Sequence, residues 1–181
     1  MGGRIRLLHP SGWRGEAMRI AYADPPYVGC AKYYPEKQEI DMEELICKLL
    51  TFDRWALSAS SSSLKQILSY CPDDVRIASW VKPFCSYKPN VNPAYAWEPV
   101  VFWNPRKRTR TEPTVRDWVS ENITLRKGLV GAKPVRFCYW LFDLLGAESN
   151  DEFFDLFPGT GIVTQCWKSW VEASNERQLT L

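Results

Sequence analysis

A single histidine, His9, stands in the 181 residues, and none of the six cysteines forms a Cys-x-x-Cys pair. Zinc is held by cysteine and histidine sets at short spacings, so no metal is expected. The cysteines, at 30, 47, 71, 85, 138 and 166, fall mostly in apolar segments, and buried free thiols in a reducing compartment are the expectation. No apolar run is long enough to span a bilayer, and Met1-Gly2-Gly3-Arg4-Ile5-Arg6 has no signal-peptide core. These absences lead to the expectation of a cytoplasmic chain with no membrane partner. Internal repeats are lacking as well, and the formal net charge is only +2. With 45% hydrophobic residues the chain can fill one core, yet 181 residues leave no room for two ordinary domains, so 1–181 reads as a single domain.

What is present begins with Asp24-Pro25-Pro26-Tyr27, which ends the apolar run Ile20-Ala21-Tyr22-Ala23. Two prolines lack the backbone N–H and hold a strand end stiffly, so the flanking carboxylate and ring keep fixed positions at the rim of a sheet. Asp24 and the Pro25 carbonyl can accept hydrogen bonds from an amino group, while Tyr27 offers a stacking face to a planar base. Drawing the amine's hydrogens into the ring plane frees its lone pair to attack an electrophilic carbon. The same four residues also suit an ordinary strand followed by a proline turn.

A second unit lies in Phe153-Phe154-Asp155-Leu156-Phe157-Pro158-Gly159-Thr160-Gly161. An apolar strand runs into a glycine turn, and Ile162, Val163, Cys166, Trp167, Trp170 and Val171 then recur at helical spacing. Gly159 and Gly161 let a ligand come close to the backbone, and the helix start turns unpaired N–H groups towards it. The turn lacks the lysine and the spacing of a phosphate-binding loop.

Taken together, the two units resemble the amino-methyltransferases of DNA that use S-adenosylmethionine, in their permuted beta-type order. In that order the Asp-Pro-Pro-Tyr motif precedes the Phe-x-Gly-x-Gly motif, as Asp24 to Tyr27 precede Phe157 to Gly161 here. A Lys-Pro pair that opens an amphipathic helix is matched by Lys133-Pro134, followed by Val135, Phe137, Cys138, Leu141, Leu144 and Leu145, with Gly146 as the stop. The similarity runs from about Arg19 to Val171, and it is to the adenine-specific members, in a small phage- or bacterial-like form. It implies a doubly wound, mostly parallel α/β sheet of the Rossmann-like class I methyltransferase type. It further implies S-adenosylmethionine as cofactor, with Asp24, Pro25, Pro26 and Tyr27 catalytic. Asp155, Phe157, Pro158, Gly159, Thr160, Gly161, Lys133 and Pro134 would be on the cofactor side. The strands ending at Ala23 and Phe157 should then lie side by side, which would bring Asp24 to the glycine turn.

Between the motifs strands and helices alternate. Asp41-Met42-Glu43-Glu44 reads as a capping box for a helix with the face Leu45, Ile46, Leu49 and Leu50. A strand is expected at 55–59, a serine turn and cap at 60–63, a helix stopped by Pro72, and strands at 75–82 and 96–103. Charged residues inside strand-like runs need a partner or a role, which makes Lys82 and Glu98 substrate-site candidates or a mutual pair. Trp80 and Trp97 fit either a pocket for an extruded base or the core.

Arg106-Lys107-Arg108-Thr109-Arg110 concentrates four cations in five residues, a pattern suited to phosphate or to a solvated loop. Arg116, Arg126 and Lys127 would extend it. In the family this stretch, about 104–131, houses target recognition, so it reads as a short recognition insert. DNA, double-stranded in the first instance and RNA as the alternative, is the implied partner, and the 6-amino group of adenine the implied target. Cytosine's 4-amino group, adenine in RNA, and a non-catalytic DNA-binding protein on the same fold are the competing readings. Most members carry two further strands after the cofactor helix, the first ending in the acid that binds the ribose. This sequence reaches Leu181 without them. The expectation is a sheet shortened on its cofactor side with no ribose ligand assigned, in a minimal enzyme of weak cofactor affinity, a homodimer that covers the edge, or a chain that has lost cofactor binding.

Overall fold

Alternating side chains and punctual stops divide the described residues into six strands and four helices. In the computed structural model, which describes residues 16–27, 39–85, 89–123 and 132–179, the order is β1 (Arg19–Ala23), α1 (Met42–Leu49), β2 (Arg54–Ser58), α2 (Leu64–Tyr70), β3 (Arg76–Val81), β4 (Trp97–Trp103), β5 (Trp118–Ser120), α3 (Val135–Leu145), β6 (Glu152–Asp155) and α4 (Ile162–Leu179). His9, Cys30, Arg126, Lys127 and the rest of 124–131 lie outside the described residues. All six strands join one sheet in the order β5-β3-β4-β2-β1-β6. β1 pairs in parallel with both β2 and β6, β5 pairs in parallel with β3, and β4 alone runs antiparallel to its neighbours β2 and β3. The mostly parallel sheet has helices on both faces, as expected for a doubly wound α/β fold.

The two faces follow from the period of two along each strand. Ile20 and Tyr22 of β1 pack with Phe137, Cys138, Leu141, Phe142, Val163 and Cys166 from α3 and α4. Ala21 and Ala23 face the other way, with Leu45, Ile46 and Leu49 of α1 and Ile67 of α2. At the far side of the first layer Phe153, Trp167 and Trp170 stack in sequence, with ring centroids 5.1 and 5.3 Å apart. No helix among the described residues is long and apolar enough to cross a membrane.

Local details separate sequence expectation from structure in a few places. Asp41 caps α1 by accepting from the Glu44 N–H at 3.1 Å, and Gly146 ends α3 in the left-handed conformation, φ 61°. Asp41→Ala should therefore cost about 1 kcal/mol in urea denaturation. The serine turn differs from expectation: Ser63 makes no side-chain cap, and instead its N–H and hydroxyl bond Ser60 within the turn. Val135 is 52% exposed although it fits the spacing of the apolar stripe, because Trp140 and Phe142 take the buried positions of α3. Pro134 is the N-cap rather than the first helical residue. Cys138 and Cys166 are buried, but Cys47 and Cys85 are exposed, which corrects the expectation of thiols buried throughout.

Candidate active site

The carboxyl ends of β1, β2, β3 and β6 and the amino end of β4 share one edge of the sheet. Residues that continue the alternation of Tyr22, Ala56, Trp80 and Val100 fall on the α3 side of that edge: Asp24, Ser58, Lys82 and Glu98. Strand registry staggers them along that edge: Asp24 follows the Ala23–Leu57 pair and so lies beside Ser58, Ser58 is opposite Val100, and Glu98 is opposite Trp80, which leads to Lys82. An open α/β sheet binds its ligands at this edge.

Asp24, about a quarter exposed, meets Lys133 through Oδ1 at 2.9 Å. Lys133 is buried, and its Nζ also lies 3.4 Å from Glu98 Oε2 and over the Trp80 and Phe137 rings. Glu98 is paired in turn with Lys82 and accepts a hydrogen bond from the Tyr27 hydroxyl. Charges therefore alternate along Lys82, Glu98, Lys133 and Asp24, and Glu98 anchors both Lys133 and the motif tyrosine. Burial pushes the Asp24 carboxyl above the ordinary carboxylate range against the pull of Lys133. Glu98 is also desolvated, but its two lysines prevail and hold it below that range. Asp24 and Glu98 together outweigh burial at Lys133 and raise it, so the lysine is cationic at neutral pH. Tyr22, whose hydroxyl is 2.7 Å from the Ser58 Oγ beneath the site, is raised by burial and then by Asp24.

On the neighbouring strand, the Leu156 N–H donates to the Tyr22 carbonyl at 2.9 Å, so the glycine turn emerges beside Asp24. Asp155 accepts from the Thr164 hydroxyl through Oδ2 at 3.2 Å. Its Oδ1 is buried without a hydrogen-bond partner among the described residues, and burial raises this carboxyl too. Gly159 and Gly161 have φ of 45° and 73°, where a side chain is strained, and a Cβ on either would have no neighbour closer than 3.9 Å. The turn is thus an open cradle at the amino end of α4, with one partnerless carboxyl oxygen, Asp155 Oδ1, at its base. Phe157 is half-buried against the α1 side, and Pro158 and Thr160 are exposed.

The remaining candidates divide. Trp80 is buried, packs 5.2 Å from Phe137 and donates its indole N–H to the Glu121 carbonyl, so it fills the core beneath the two lysines. Trp97 is 41% exposed and does not fill the core. Arg106 holds Glu112 through two hydrogen bonds of 3.0 and 3.1 Å and reaches Glu148 at 3.3 Å. Arg108 donates to the Pro113 and Asp143 carbonyls. Arg106 is therefore tied to the loop and to the segment after α3, and Arg108 to the loop and to α3, whereas Lys107 and Arg110 are exposed. No cluster of potential metal ligands occurs among the described residues. Sequence reasoning singled out Lys133 but not its contact with Asp24, and missed Ser58. A lysine just before a helix start was the available signal, since the positive end of a helix repels a cation.

No protein-family model and no curated protein matches the chain. Solved structures do resemble it. The crystal structure of the M1.HpyAVI–SAM complex superposes with a TM-score of 0.59 at 13% sequence identity, covering 89% of this chain and 89% of that one. M1.HpyAVI itself gives a TM-score of 0.56 at 12% identity over 86% of this chain and 77% of that one. At such identity the likeness is one of fold.

Proposed function

We propose that this chain transfers a methyl group from S-adenosylmethionine to an exocyclic amine of a base in DNA, the 6-amino group of adenine. The observation that carries this reading is the juxtaposition, on adjacent parallel strands β1 and β6, of Asp24-Pro25-Pro26-Tyr27 with the glycine turn 157–161. The likeness to the fold of the M1.HpyAVI–SAM complex supports it. The single domain 1–181 and the recognition role of 104–131 belong to the same proposal, as does double-stranded DNA as the partner. A homodimer would cover β6, which has no strand on its outer side among the described residues.

The residues present fit the cofactor. Asp155 supplies an unsatisfied buried acceptor for a cationic amino group, and Gly159, Thr160 and Gly161 with the first N–H groups of α4 suit a carboxylate. Phe157 and Pro158 would wall this side. When bound, S-adenosylmethionine supplies an electrophilic methyl on a sulfonium. Asp24 and the Pro25 carbonyl hold the amine in line with that methyl, and Tyr27, pinned by Glu98, stacks on the base. The methyl would pass to the amine nitrogen's lone pair, with the cofactor's sulfur keeping the electron pair of the S–C bond. Asp24 stabilises the cationic nitrogen and takes its proton, which then passes to water. Lys107 and Arg110 offer phosphate contacts, with Arg106 and Arg108 supporting their loop; Lys82, Trp80 and Glu98 shape the floor on the substrate side.

Two tests follow directly. Titration calorimetry should detect S-adenosylmethionine binding, and Gly161→Val should weaken it by about tenfold or more, because the side chain enters the cradle and cannot relax at positive φ. Equal affinity in the variant would remove the turn from the cofactor site. The acid limb of kcat/KM should lie above the ordinary carboxylate range, since Asp24 acts ionised and its raised pKa moves loss of the anion to higher pH. The observation favouring a second reading, a non-catalytic DNA-binding protein, is that among the described residues no strand follows β6 on its outer side. Absence of binding at millimolar cofactor with DNA binding retained would select it.

A further inference from the structure

Lys133 stands where elementary electrostatics would not put a lysine. It immediately precedes the N-cap of α3, at the positive end of the helix, and only 6% of its side chain is exposed. Neither helix stability nor solvation accounts for the cation. The contacts that do are Asp24 Oδ1 at 2.9 Å, Glu98 Oε2 at 3.4 Å, and the faces of Trp80 and Phe137 at 5.2 and 5.6 Å. Glu98 is fixed by Lys82 and Tyr27 and cannot swing freely. The ammonium is therefore clamped between an anchored carboxylate and the motif carboxylate.

We propose that Lys133 is the positioning residue of the methyl-transfer reaction: anchored on Glu98, it grips Oδ1 of Asp24 and sets the rotation of that carboxylate, leaving the second oxygen to the target amine. The inference rests on the functional reading above and reassigns Lys133 from the cofactor to the amine side. Glu98 becomes the hub that orients both partners of the base, Tyr27 by a hydrogen bond and Asp24 through Lys133. The same grip tunes how readily Asp24 gains a proton. The titratable groups facing Asp24 are Lys133 before α3, Glu98 on β4, Lys82 after β3, Tyr22 on β1 and Asp155 on β6. Of these, Lys133 makes the largest charge contribution opposing protonation.

Lys133→Met keeps length and removes charge, and Lys133→Arg restores the charge. The full-length variants are compared by circular dichroism, S-adenosylmethionine affinity, kcat against pH, and carbon-13 titration of Asp24. Lys133→Met should bind the cofactor within about threefold of the parent, lose roughly 100-fold in kcat, and move the acid limb and the Asp24 titration to higher pH. Lys133→Arg should recover activity to within about tenfold. If Lys133→Met does not fold, the double variant Glu98→Gln/Lys133→Met, which removes one charge of each sign, carries the same measurements. Cofactor affinity that falls more than tenfold, with kcat and the Asp24 titration unchanged, would overturn the proposal and make Lys133 a cofactor ligand. Should the parent protein transfer no methyl group, the functional reading fails, yet the Asp24 titration still decides whether Lys133 holds this carboxylate: an upward shift supports the grip and an unchanged curve refutes it.

Discussion

Asp24→Ala is expected to lower kcat by about 10³-fold or more while leaving S-adenosylmethionine binding within a fewfold of the parent. Removing one preorganised group that faces developing charge costs about 10²- to 10³-fold, and here the same group also accepts the proton, so the loss should sit at or beyond the upper end. The carboxylate lies beside the glycine turn rather than in it, which is why binding should survive. Lys133 keeps Glu98 as a counter-charge in the variant, so the fold should survive too. Asp24→Asn should also be poor, since an amide can accept from the amine but takes no proton and loses the attraction of Lys133. Single-turnover kinetics with saturating cofactor separates these effects, and near-normal turnover by Asp24→Ala would remove the motif from catalysis.

The largest stability effect should come from the opposite end of the sheet. Arg54 opens β2 fully inside the protein, paired with Asp151 Oδ2 at 3.8 Å and donating to the carbonyls of Leu145 and Gly146 at the carboxyl end of α3. Asp151 in turn accepts from the Met18 and Glu148 N–H groups, both at 2.8 Å. This pair ties β2, α3 and the entries to β1 and β6 into one knot. It fixes the register that later sets Asp24 beside the glycine turn. Burial lowers the guanidinium's pKa, but it remains a cation. Arg54→Met leaves Asp151 buried without its counter-charge and two helix carbonyls without a donor, so unfolding free energy should fall by about 3–5 kcal/mol. For a chain of this length that corresponds to roughly 10 °C in Tm. A loss below about 1 kcal/mol in urea denaturation would show that the knot carries no stability.

Local signals were legible wherever a residue's own chemistry settles the backbone. Asp41 starts α1, Pro72 follows the end of α2, Gly146 ends α3, and the strand–turn–helix of residues 152–179 was readable from its spacing alone. The adjacency of β1 and β6, far apart in sequence, followed from the family resemblance rather than from any periodicity. Three-residue β5 escaped notice because Trp118–Ser120 offers one buried position and no alternation to count. Val135 was misplaced because spacing records which residues can share a stripe, not where the stripe begins. In the site, Asp24, Lys82, Glu98 and Lys133 were each visible as residues, but their alternating chain depends on strand order and register. Charge runs are similarly ambiguous: only folding shows that Arg106 and Arg108 are occupied at home while Lys107 and Arg110 face solvent.

The most direct test of the account is transfer of an isotopically labelled methyl group from S-adenosylmethionine to unmethylated double-stranded DNA, with single-stranded DNA and RNA in parallel, Asp24→Ala as the control, and digestion of the product to nucleosides. Label is expected on the 6-amino group of adenine in DNA, dependent on Asp24. Label on cytosine or only on RNA would keep the mechanism and change the substrate. No label on any nucleic acid, from folded protein shown to bind the cofactor, would contradict the central claim that Asp24 and the glycine turn form one methyl-transfer site.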